Sequence, residues 1–361
     1  MISTKEKVIN NLNIVWSIAS KDIVDALKNK ATVFNIFAMI AIVVFFYWIS
    51  SVRPFDKEIE VVVYDEGNSS LPMERVQLAD GYSLVLYEMS SIQQMERNMG
   101  FKELGLVIPA DFDQVLNAVG EPVLQGSILW VHRAKATELE SKYSQKLSEW
   151  LGQSVRVEIG DNFVVPQPDI PTWPVHFHIL FAVFFMAIST VPHLMLEEQR
   201  TKTMDALLVS PASAGQVVVG KALAGLFYVL LSGGLFFALN WAYVTHWGLA
   251  LLAFLCTALF SIGVALILGV FIKNPFQMMV SMAPMIFLLV LPAFFALQPN
   301  LTANLKTILG WLPTTALVKI VKLSLSSEVP LDQLLNNLAI ALGSTAVVYA
   351  VVIWKARRSD R

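Results

Sequence analysis

The sequence predicts an α-helical membrane protein with six transmembrane helices and a small extracytoplasmic α/β domain between spans one and two. Three observations carry this. Of 361 residues, 55% are hydrophobic and only 15% charged, with mean hydropathy +0.59, whereas soluble domains carry about 25% charge. The charges are also segregated: residues 54–172 hold 19 acidic and 9 basic side chains, the remainder 9 acidic and 17 basic. An acidic, water-facing domain is thus set into a membrane body with basic fringes. Finally, charge-free apolar runs recur, at 31–50 and 222–272, and about 20 helical residues cover the roughly 30 Å hydrocarbon core.

Residues 1–30 read as a cytoplasmic amphipathic helix. Leu12, Val15, Ile18, Ala19, Ile23, Ala26 and Leu27 recur mostly at spacings of three or four, with Lys21, Asp22, Lys28 and Lys30 between them, the pattern of a helix lying in a headgroup region. Residues 31–53 form span one, with Tyr47 and Trp48 at the interface and Arg53-Pro54 ending the helix. No A-x-A-like site follows it, so it reads as an anchor. Asn35 lies near its inner end, within reach of water.

Residues 54–172 change character. Strands are expected at 59–64, 104–108, 123–130 and around Val155, Val157 and Ile159, with helices at Asp111–Val119 and Arg133–Leu151. That order suggests a compact α/β domain of about 110 residues, followed by a proline-stiffened linker over 164–174. His132 has no second ligand at metal spacing, and no carboxylate pair stands out, so neither a metal site nor a catalytic residue is expected.

Residues 173–361 make the membrane domain. Span two, 175–196, has His176 and His178 at its outer mouth, and Pro192 should kink it, with Ser189 and Thr190 placed to satisfy the freed carbonyls. Spans three and four share 222–272, broken near 240–248. Span five, 276–297, contains Pro284 and Pro292; residues 298–332 read as an outer re-entrant or interfacial helix pair; span six covers 333–354. Cys256, the single cysteine, excludes an intrachain disulfide and reads as a buried hydrophobe. Lys and Arg cluster in the N-terminal segment, at 200–221, at 273 and at the C-terminus. Both termini are therefore expected in the cytoplasm and residues 54–172 outside.

The loop 197–221 is then a charged cytoplasmic island. Met204, Leu207 and Leu208 fall on one helical face that no membrane position requires. Such a face suits docking and equally suits lying on headgroups. Ser210-Pro211 ends that helix, and Ser213 to Gln216 has capping-box spacing for the next. Gly215 to Lys221 fits G-x-x-x-x-G-K, but Ala222 replaces the required Ser or Thr and no strand precedes it, so nucleotide binding is not expected.

Several stretches together resemble the permease subunits of bacterial type-2 ATP-binding-cassette exporters, in the subgroup with a large extracytoplasmic domain after span one. Ser20-Lys21-Asp22-Ile23 with Leu27 and Lys28 resembles the family's elbow helix, and Glu58 to Asp65 its first outer strand. Leu104 to Phe112 resembles its viiP-x-dF segment. Glu197 to Ser213 with Lys221 resembles its E-x-x-x-G-T-x-E-x-L-L-x-[ST]-P-x-S…GK loop, departing at Lys202 for Gly and Asp205 for Glu. Leu291-Pro292 and Trp311-Leu312-Pro313 resemble its proline-marked outer region.

The resemblance implies a subunit that is not itself an enzyme and holds no cofactor. ATP and magnesium would bind two copies of a separate ATPase. The second permease subunit would be a copy of this chain or a paralogue, with spans two and five at the interface, in a bacterial cytoplasmic (inner) membrane and without nucleic acid. Coupling would fall to Glu197, Glu198, Arg200, Thr201, Lys202, Met204, Asp205, Leu207 and Leu208, and hinge motion to Pro192, Pro284 and Pro292. Phe184, Phe185, Ser189, Thr190, Phe287 and Phe294 would line a pathway suited to hydrophobic or amphipathic cargo; the family is associated with drugs, lipids, polysaccharides and sodium. Two alternatives stand beside this reading. One is a non-transporting membrane protein whose outer domain senses or binds an envelope partner. The other, an ion-coupled transporter, is weakened by spans without Asp, Glu, Lys or Arg.

Overall fold

A computed structural model of the chain describes residues 4–52, 58–73, 75–78, 81–99, 102, 104–118, 120–165, 175–201, 213–272, 274–296 and 301–359. The N-terminal helix α1 (Thr4–Lys28) and α2 (Lys30–Val52) meet at Asn29, and the chain bends there by 79°. One face of α1 buries Ile18, Ala19 and Ala26, while Leu12, Trp16 and Val24 on the other are exposed. The buried face packs against the rest of the chain, and the exposed one still carries apolar side chains.

The inserted domain is a sheet with helices on both faces. Its elements are β1 (Glu58–Asp65), β2 (Arg75–Gln77), β3 (Ser83–Met89), α3 (Ile92–Asn98), β4 (Leu104–Ile108), α4 (Phe112–Asn117), β5 (Val123–Leu129), α5 (Ala136–Leu151), β6 (Arg156–Glu158) and β7 (Phe163–Val164). The sheet order is β2-β3-β1-β4-β5-β6, with β7 on β5. β1 lies parallel to β3 and β4, β2 runs antiparallel to β3, and β5 runs antiparallel to β4 but parallel to β6 and β7.

Alternation along β1 decides the layers, because successive side chains point to opposite faces. Val61 and Val63 join Phe112, Tyr143 and Leu147 beneath one face; Val62 packs with Met95 and Met99 on the other. The sequence reading placed four strands and omitted β2, β3, β7 and α3. Ser83–Met89 forms β3 because it is the parallel partner of β1, a contact made across the sheet and not in local pattern. Residues 130–135 form a 3-10 turn, so the helix expected from Arg133 begins at Ala136.

The sheet's β6 edge is closed by α5. Ser148, Ser144 and Glu140, at successive spacings of four, accept the N–H groups of Val155, Val157 and Ile159 at 2.9, 2.8 and 2.7 Å. An open edge would otherwise template pairing with another strand.

The membrane body comprises α6 (Val175–Thr201), α7 (Ala214–Leu239), α8 (Trp247–Phe271), α9 (Pro275–Ala296), α10 (Ala303–Gly310), α11 (Pro313–Ser324) and α12 (Leu331–Ser359). Among the described residues five helices are long and apolar enough to cross a membrane, at 178–196, 215–239, 247–271, 276–296 and 331–355. The bent α1–α2 pair makes a sixth if it counts as one span. Helix α6 is the most enclosed, and α9 and α12 are the most open. Cys256 is buried in α8.

Two local expectations are corrected. Asn35 does not turn to water: its Nδ2 donates to the Ser189 carbonyl at 3.3 Å, tying α2 to α6. Ser189 and Thr190 do not reach the Ile188 carbonyl that Pro192 leaves without a donor. The Ser189 hydroxyl donates to the Met186 carbonyl at 3.3 Å and that of Thr190 to the Met186 sulfur at 3.8 Å. The 298–332 region holds a helix pair, of which α10 is exposed and α11 is enclosed by α6, α8, α9 and α12.

Between the two bodies stands Arg133. Its guanidinium lies 4.2 Å from the Trp130 ring centroid and 5.2 Å from that of Trp241. Nη1 donates to the carbonyls of Trp130 at 2.9 Å and Ala242 at 3.1 Å. The turn joining α7 to α8 is thereby stapled to the α/β domain.

Candidate coupling site

The site is built where α6 ends and α7 begins. Leu196, Ile272 and Met278 form a buried cluster that knits the end of α6 to the end of α8 and the start of α9. The α6 backbone continues as helix through Glu197, Glu198, Arg200 and Thr201; their side chains lie outside the described residues. So do Lys202, Met204, Asp205, Leu207 and Leu208, and with them the expected apolar docking face.

The chain returns at Ser213 with a full capping box. Ser213 Oγ accepts from the Gln216 N–H at 3.3 Å, and Gln216 Oε1 accepts from the Ser213 N–H at 2.7 Å. Two otherwise orphaned donors at the helix start are satisfied in this way. The Gln216 amide also donates to Asn11 Oδ1 at 3.0 Å, the first of a row of contacts with α1.

The row continues at Gly220. A Cβ there would stand 2.7 Å from Ile18 Cγ2 and 3.2 Å from the Val15 carbonyl oxygen, so only glycine lets the two helices approach this closely. Next, Lys221 Nζ meets Asp22 Oδ2 at 3.3 Å, with the two side chains 1% and 6% exposed. Farther along, the Tyr228 hydroxyl donates to the Ile23 carbonyl at 2.6 Å. Helices α1 and α7 therefore run side by side in the same direction for about three turns.

This geometry explains the Gly-Lys pair that imitates a phosphate loop: glycine permits the close approach, and lysine neutralises a buried carboxylate. It also corrects the boundary of the loop. Lys221 belongs to the second turn of α7, inside a candidate span, and not to the water-exposed island. Removing either partner would leave the other charge buried without this counterion, which is destabilising. Asp22, Gly220 and Tyr228 were not singled out from sequence as a group. The available signal was that Asp22 lies on the same helical stripe as Ile18 and Ala26, an acid where a small or apolar residue is expected.

The pathway residues fall in different places. Phe184 is fully buried and meets Phe260 edge-on at 6.1 Å, while Phe185 stacks on Phe181 at 6.1 Å. Ser189 and Thr190 are buried like Phe184, while Phe185 is half-buried. Phe287 lies exposed on α9, and Phe294 is half-buried beside Phe295. Of the hinge prolines, Pro192 is buried, Pro284 exposed and Pro292 half-buried, all within continuous helices. Gly269 of α8 lets that helix pass close to Pro192: a Cβ there would be 3.2 Å from the proline Cα. Among the described residues no cluster of His, Cys, Asp and Glu is placed to hold a metal.

A family model described as ABC-2 family transporter protein matches residues 175–355, from the start of α6 into the last turns of α12, and so takes in the loop and the α7 half of the ion pair. No curated protein matches the chain. The matched segment covers half of the chain and all of the membrane body after span one, and by it the chain belongs to the ABC-2 family of transporter proteins.

Proposed function

We propose that the chain is the permease subunit of an ATP-driven exporter, in which a separate ATPase acts through residues 197–213 to move a hydrophobic or amphipathic molecule out of the cytoplasm. The observation that supports this best is the family match, which spans a loop framed by built helix ends. On one side α6 is anchored by the Leu196 cluster; on the other α7 starts at a capping box and is pinned to α1. A push on such a loop passes into two rigid helices and is not absorbed by fraying ends. Pro192 removes one backbone hydrogen bond from α6 and would be the point at which that helix bends. Helix α9, with its exposed stripe of Phe276, Val280, Phe287 and Leu288, meets a second permease subunit or lipid.

In this reading both termini and the loop face the cytoplasm of a bacterial cell, and the α/β domain faces outward. The ATPase brings the ATP and magnesium, in two copies. The test is a Leu207→Asp, Leu208→Asp double variant of the full chain, expressed with its ATPase. Membrane insertion should be retained and co-purification of the ATPase lost. Unchanged co-purification would overturn the assignment of the docking face.

A further inference from the structure

Helix α11, with 12 residues, is too short to cross a membrane and is packed within the membrane body. Ala316, Leu317, Val318 and Ile320 are fully buried. At its C-terminal end the Ser324 carbonyl accepts the N–H groups of Thr245 and His246 at 3.2 and 3.0 Å. The same turn carries Ala242, which is bonded to Arg133. Helix α11 therefore lies at the end of the membrane body that bears the α/β domain.

Two polar groups on this helix have no hydrogen-bond partner among the described residues. Thr315 is fully buried and its Oγ1 makes no hydrogen bond. Lys319 stands one turn later on the same face. It is half-buried, and among the described residues no hydrogen bond or ion pair reaches its Nζ. That Nζ lies 3.7 Å from where a Cβ on Gly310 would be, beside the C-terminal end of α10. The partial negative charge of a helix C-terminus favours a cation there without neutralising it. Helix α11 itself begins at Pro313 with no side-chain cap, so its first amides add donors pointing toward its start.

A half-withdrawn ammonium one turn from an orphaned buried hydroxyl is costly unless an anion satisfies both. We propose that Thr315 and Lys319 form a binding site for a phosphate-class oxyanion, the chemistry shared by a phospholipid headgroup and free phosphate. Lys319 supplies the charge and Thr315 the second hydrogen bond, while Gly310 leaves the approach clear of a side chain. The site stands on its own geometry and does not rest on the coupling assignment.

The test uses the full chain in nanodiscs of phosphatidylcholine alone, of phosphatidylcholine with phosphatidylglycerol, and of phosphatidylcholine with added inorganic phosphate. The readouts are the thermal midpoint and lipid retained on native mass spectrometry. Phosphatidylglycerol should raise the midpoint and remain bound, and Lys319→Met should weaken retention roughly tenfold, the scale of one charge-assisted hydrogen bond. Thr315→Val should weaken it less, and Lys306→Met, at an exposed position on α10, should leave it unchanged. Stabilisation by inorganic phosphate that Lys319→Met removes would identify the free anion as the source and also support the site. If Lys319→Met does not fold, Lys319→Arg, which should retain binding, and Thr315→Val carry the comparison. Retention by Lys319→Met at the wild-type level, or no effect of either anion on the wild type, would overturn the proposal.

Discussion

Replacing Lys221 with Met tests the seam between α1 and α7 most directly. Lys221 and Asp22 are 1% and 6% exposed and 3.3 Å apart, so water contributes little screening to the charge left behind. Breaking such a pair from one side costs about 3–5 kcal/mol. Asp22→Asn should cost a similar amount because it strands the ammonium. The double variant Asp22→Asn, Lys221→Met removes both charges at nearly constant volume, and replacing a buried pair by neutral groups is often close to neutral. The expected pattern is two damaging single changes and a double change within about 1 kcal/mol of wild type. Equilibrium unfolding of the full chain in mixed mild-detergent and SDS micelles measures it. Single variants within about 0.5 kcal/mol of wild type, the range of ordinary surface changes, would refute the reasoning, because the charges would then have found solvent or another partner.

Two further outcomes follow from the α/β domain. Arg133→Ala removes the contacts to Trp130, Trp241 and the Ala242 carbonyl, a loss of about 1–3 kcal/mol for a charged hydrogen-bond donor over aromatic rings. Hydrogen exchange should quicken in residues 241–246 and 130–135, while exchange in the β1–β4 core stays unchanged. Tyr87 donates to Glu60 Oε1 at 2.9 Å, and that hydrogen bond, followed by desolvation, holds its phenol above the ordinary value of 10.0. A raised pKa means the folded state keeps the proton longer. The stabilisation is therefore complete below pH about 10 and is lost as pH rises through the folded value. Melting curves from pH 8 upward should show the advantage of wild type over Tyr87→Phe shrinking only above that point.

Much of this architecture is legible one segment at a time. Charge-free runs of spanning length mark the membrane helices, because hydrocarbon excludes unpaired charge whatever the neighbours are. Ser213 and Gln216 announce the start of α7, because a capping box is made by residues three apart. Strand β3 escaped notice because its strand character comes from pairing with β1, and the orphaned polar groups of α11 were unreadable because nothing local shows what surrounds Thr315 or Lys319.

The charged island between α6 and α7 shows where the division lies. The charges of 197–213 and the Ala222 that follows Gly220-Lys221 are read from sequence alone, and the expectations of a water-facing loop and of no phosphate loop rest on those residue types at short spacing. Only the tertiary structure decided that Lys221 leaves the island and enters the protein. Its partner, Asp22, is 199 residues away, and a buried pair exists only where folding brings both charges to one place and removes the water around them.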